Sequence, residues 1–119
     1  MTRMKDKIEE IETYLSELES IRPNSLEEYE KDLKAKAACE RYFEKIMEAV
    51  VDLAFLIIKE KKLRIPEDDK EAFELLMTED IISKNLCGKL KEAKGMRNIL
   101  AHQYGTVDDE IVFDSIINQ

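Results

Sequence analysis

The residues that could do chemistry are concentrated in positions 91–105, which read KEAKGMRNILAHQYG. They hold the single histidine of the chain, His102, five residues after Arg97 and two before Tyr104. An imidazole titrates near neutrality, so it can act as general base or general acid. An arginine is permanently charged and offers a rigid fork of donors that fits phosphate oxygens. Asn98 places an amide four residues before the histidine, able to hold the imidazole or a phosphate oxygen. This set needs no metal, and one histidine with two separated cysteines makes a structural zinc site improbable.

These residues must be carried by a helix. At about 100° per residue, Leu86, Leu90, Ala93, Met96 and Leu100 form one apolar face. Arg97 and Tyr104, seven apart, fall on that face, where an arginine must find a partner or reach a polar cleft. Gly88, Gly95 and His102, also spaced by seven, share another side that Asn98 borders. Glycine in a helix costs stability, and its usual benefit is close approach by another backbone or a ligand. Arg97 and His102 lie about 140° apart on an ideal helix. Their cooperation needs either a distorted helix end or a symmetric dimer that brings two copies to one cleft, and the dimer is favoured. Cys87 and His102 are no nucleophile–base pair within one chain, because fifteen residues of helix separate them by roughly 22 Å.

A chain of 119 residues fits one domain, 1–119. Abundant helix formers, three glycines and two prolines point to an all-α fold of long helices. The N-terminus lacks the apolar core of a signal peptide. The longest apolar run, residues 49–58, is short and contains Asp52, so no membrane span is expected. Two cysteines make no disulfide framework and suit a reducing cytoplasm. The net charge of −8 argues against general coating of nucleic acid, which needs a basic surface. Residues 84–104 depart from it, with Lys84, Lys89, Lys91, Lys94 and Arg97 against the single acid Glu92. Such a stretch is either a solvated lysine face or a local phosphate site.

In chain order, Met4, Ile8, Ile11, Leu15 and Leu18 trace the apolar stripe of a first helix, which Pro23 ends. Ser25 with Glu28 forms a capping box that opens a long second helix. Its seam runs through Leu26, Tyr29, Leu33, Phe43, Met47, Val50, Ala54 and Ile57, with a second strip at Val51, Phe55 and Ile58. A helix apolar on more than one side is central or sits at a subunit interface. Lys36, Glu40 and Asp52 break its pattern. Lys36 and Glu40 are spaced to pair with each other, and Asp52 either tilts to solvent or pairs with a cation. The functional reading makes Asp52, or Glu40, an acid that orients the arginine or histidine. Glu67, Asp68 and Asp69 start a short helix packed through Ala72, Phe73, Leu76 and Met77. Ser83 caps the helix that runs to about Tyr104, Gly105 ends it, and Thr106 caps a last short one.

The stretch from Arg97 to Tyr104 resembles the R-x4-H-x-Y motif of HEPN-domain ribonucleases, in particular the HepT-like toxins. The likeness extends over essentially the whole chain. It implies an antiparallel four- to five-helix bundle that dimerises through the bundle, with both copies of the motif lining the cleft. It also implies a metal-independent endoribonuclease without cofactors, in which Arg97 and His102 are catalytic and Asn98 supports them. In the HepT branch the usual antitoxin is MntA, a minimal nucleotidyltransferase, and the residue adenylylated corresponds to Tyr104. RNA carries its own nucleophile, the 2′-hydroxyl, so the enzyme need only move protons and stabilise the transition state. AMP on Tyr104 would add bulk and negative charge on the side of Arg97. Two other readings compete: a non-catalytic helical subunit that docks a minimal nucleotidyltransferase, and a plain helical interaction protein.

Overall fold

The computed structural model describes residues 2–102 and 109–117, the latter stretch being the last helix. Among them are six helices and no strand: α1 (Thr2–Ile21), α2 (Leu26–Lys31), α3 (Leu33–Glu60), α4 (Asp69–Thr78), α5 (Lys84–His102) and α6 (Asp109–Ile117). The expected bundle is all-α as read, and the additional helix is the six-residue α2.

The long second helix expected after Ser25 is divided at Asp32. The Asp32 carboxylate accepts the Ala35 N–H at 3.0 Å and so caps α3, while its backbone N–H closes α2 on the Glu28 carbonyl. Aspartate favours such ends because its side chain competes for nearby backbone donors. The Ser25 cap is present: its Oγ accepts the Glu28 N–H at 3.2 Å, and the Glu28 carboxylate reaches back to the Asn24 N–H.

The central element is α3, which packs against each of the other five helices. Its Cys39, Phe43, Ile46, Met47, Ala49, Ala54 and Ile58 are buried. Lys7 of α1 meets Asp52 of α3, and Tyr14 meets Tyr42, so α1 runs antiparallel to α3. Lys91 and Lys94 of α5 meet Glu74 and Asp69 of α4 in the same reversed order. Tyr29 of α2, fully buried, stacks on Phe113 of α6 at 5.2 Å between ring centroids and closes one end of the bundle. The α1 stripe is only partly covered: Leu18 is buried, whereas Ile8 and Leu15 are exposed. Cys39 and Cys87 are both buried and free, and burial raises the Cys39 thiol above its ordinary pKa.

Candidate functional site on α5

Ser83 opens α5 by accepting the Leu86 N–H on its Oγ at 3.0 Å. The helix then continues unbroken to His102. Cys87, Ala93 and Met96 are its buried positions and seat it against α3 and α4. That seating turns Lys94 and Arg97 into a cavity of about 210 Å³. Met47, Glu48, Val51 and Asp52 of α3 and Asp69, the first residue of α4, supply its other walls.

Arg97 is half-buried and donates from Nη2 to Oε1 of Glu48 at 3.1 Å. Its Nε is buried and has no hydrogen-bond partner among the described residues. A buried donor left unpaired costs on the order of 1–3 kcal/mol. The guanidinium is therefore fixed by one acid while part of its donor fork stays unsatisfied. An anionic oxygen entering the cavity could complete it.

Lys94 is more deeply placed, with 13% of its side chain exposed. Its ammonium sits 3.1 Å from Asp69 Oδ2 and donates to Asn98 Oδ1 at 2.8 Å. Asn98 itself is exposed. Asp52 lines the same cavity as Arg97, but its carboxylate meets Lys7 at 3.4 Å. Lys7 is held above the ordinary lysine pKa, first by its hydrogen bond to Glu10 and less by Asp52. Of the two acids singled out in sequence, Asp52 thus reaches the Arg97 cavity. Glu40, eight residues before Glu48 on α3, lies about 12 Å further along that helix. The acid on Arg97 is Glu48, one turn from Asp52.

Three of the five cations on α5 are engaged by acids of neighbouring helices: Lys91 with Glu74, Lys94 with Asp69 and Arg97 with Glu48. Lys84 and Lys89 have no acid partner among the described residues. The middle of the basic helix, from Lys91 to Arg97, is therefore matched by acids within the fold. Gly88 and Gly95 face open space, since a methyl at either would meet nothing within 4 Å. Among the described residues, no backbone comes that close to them. The side chain of His102 lies outside what the structure describes, as do Tyr104, Gly105 and Thr106.

The described residues thus form an all-helical fold in which one helix holds Arg97 at a cleft, five positions before His102. The chain belongs to the ribonuclease HepT-like family, whose model matches residues 5–119. An Archaeoglobus fulgidus protein is 32% identical over 108 residues, which span 88% of this chain and 80% of that one. A tRNA nuclease HepT from Aphanizomenon flos-aquae is 28% identical over 110 residues, 92% of this chain and 75% of its own length. The solved structure of a tri-AMPylated Shewanella oneidensis HEPN toxin in complex with an MNT antitoxin superposes with a TM-score of 0.88. It is 23% identical, and the match covers 98% of this chain and 86% of that one. The all-α HEPN fold expected from the motif is the fold observed.

Proposed function

We propose that this chain is a metal-independent endoribonuclease and the toxin of a toxin–antitoxin pair. The observation that carries the reading is Arg97: half-buried at a cavity, oriented by Glu48, and left with an unsatisfied Nε five residues before His102. Membership of a family described as ribonuclease supports it. Arg97 binds the scissile phosphate and stabilises the charge that builds on its oxygens during 2′-hydroxyl attack. His102 moves the proton to or from the reacting oxygens, with its neutral and charged forms both accessible near pH 7. Asn98 supports this pair, and Glu48 takes the orienting role expected of Asp52 or Glu40.

The active unit is a homodimer. The unbroken α5 keeps positions 97 and 102 about 140° apart, so one helix does not bring both to one phosphate. A second copy supplies the missing half. Apolar surface supports the association: exposed Leu15 and Leu86, with half-buried Ile11, Val50 and Leu90, line an open groove of about 490 Å³ among α1, α3 and α5. The partner is an MntA-like minimal nucleotidyltransferase that adenylylates Tyr104 and so blocks RNA by bulk and charge. The Shewanella oneidensis toxin, AMPylated and bound to its MNT antitoxin, supports that assignment. Among the described residues no helix is long and apolar enough to cross a membrane. The protein is assigned to the cytoplasm, where its two free thiols stay reduced.

The second reading, a non-catalytic subunit that docks the nucleotidyltransferase, is favoured by one observation: Lys91, Lys94 and Arg97 are all engaged by acids. RNA cleavage by the parent and by His102→Ala separates the two. Cleavage by the parent alone, with the variant still folded, supports the nuclease. Equal cleavage by both contradicts it.

A further inference from the structure

Lys94 belongs to no catalytic pattern in the sequence, yet it is the least exposed cation in the ion pairs of α5. Two contacts fix its ammonium. Asp69, at the start of α4, holds it from one side at 3.1 Å, and Asn98, one turn further along α5, accepts from it at 2.8 Å. An ammonium only donates, so the Asn98 atom facing it must be the amide oxygen. The nitrogen of that amide, with its two donors, is then turned away from Lys94.

We propose that Lys94, anchored by Asp69, is a positioning residue for Asn98, and that it fixes the amide flip so that the Asn98 nitrogen is the donor offered to the nuclease site. The Asn98 amide N–H groups then donate to an acceptor: a phosphate oxygen of the substrate, or an unprotonated imidazole nitrogen. The inference rests on the nuclease reading for its catalytic consequence, and on the geometry alone for the orientation. The arrangement ties the motif on α5 to the first turn of α4, as Glu48 ties it to α3.

The test is a double-mutant cycle on cleavage, using Lys94→Met, which keeps most of the apolar stem, and Lys94→Arg, which keeps donors. Lys94→Met is expected to lower kcat about tenfold, the effect of one lost oriented hydrogen bond. Lys94→Arg should restore most of it. In an Asn98→Ala background Lys94→Met should add almost nothing. Fully additive losses would overturn the proposal, because Lys94 would then act without Asn98. A parent that fails to cleave would remove the nuclease reading, and the orientation would be read by NMR instead. The Asn98 side-chain amide protons, assigned by their loss in Asn98→Ala, should shift in Lys94→Met. Unchanged resonances would overturn it.

Discussion

Arg97 and Glu48 stand 49 residues apart in the chain and 3.1 Å apart in the fold. The pair joins the helix that carries the motif to the central helix of the bundle. With about a quarter of the Arg97 side chain and half of the Glu48 side chain exposed, its direct worth to stability is small. Its value lies in direction: the carboxylate fixes where the guanidinium points, and in the proposed role a donor misplaced by an ångström loses much of its effect.

Glu48 should therefore affect catalysis more than folding. Glu48→Ala is expected to lower kcat on the order of tenfold or more, with a stability change of about 1 kcal/mol or less. Glu48→Gln retains an oxygen that accepts from Arg97 and should keep most of the activity. Steady-state cleavage beside thermal unfolding checks both. Equal losses of activity in the two variants would show that the charge of Glu48, and not its acceptor geometry, is what matters.

Asp32 separates α2 from α3 by serving both as the last cap of one and the first cap of the other. Replacing it by alanine should cost about 0.5–2 kcal/mol, the range for loss of an N-cap side chain. Denaturant unfolding reads this directly, and cleavage per folded molecule should stay at the parent level because the proposed site is on α5.

Glu71 gives the fold a defined acid limb. Its hydrogen bond from Arg64, then that from the Glu67 backbone N–H, hold its carboxyl below the ordinary glutamate pKa. A depressed folded-state pKa means that the stabilising contribution is present above the unfolded value and disappears as pH falls through the folded one. Melting temperature followed from neutral pH downward through the carboxylate range should thus fall less in Glu71→Gln than in the parent. Parallel curves would contradict this.

Much of the fold was legible because its signals are local. The caps at Ser25 and Ser83 each need only a hydroxyl and a backbone N–H three residues on. Phe43, Met47 and Ala54 announced the buried seam of α3 through their spacing. Asp32 was missed because the apolar rhythm continues across it from Tyr29 to Leu33, and rhythm alone does not register a cap. The motif on α5 was legible as residue types at fixed spacing. Its supports were not. Asp52 drew attention by interrupting an apolar run, whereas Glu48 sits in a pattern where a solvated acid is ordinary. Only the packing of α5 on α3 distinguishes them. Asp69 read as helix-start charge, and its hold on Lys94 depends on how α4 meets α5. The cations of α5 looked free in sequence because the acids that engage them lie on other helices.

The measurement that tests the central claim most directly is RNA cleavage in excess chelator by the purified protein, with intact mass showing Tyr104 free of AMP. Arg97→Ala and His102→Ala are assayed beside it after circular dichroism has shown both to be folded. The account predicts cleavage by the parent and a loss on the order of a hundredfold or more in each variant. Cleavage that survives both substitutions, or an unmodified parent that cuts no RNA, would contradict it.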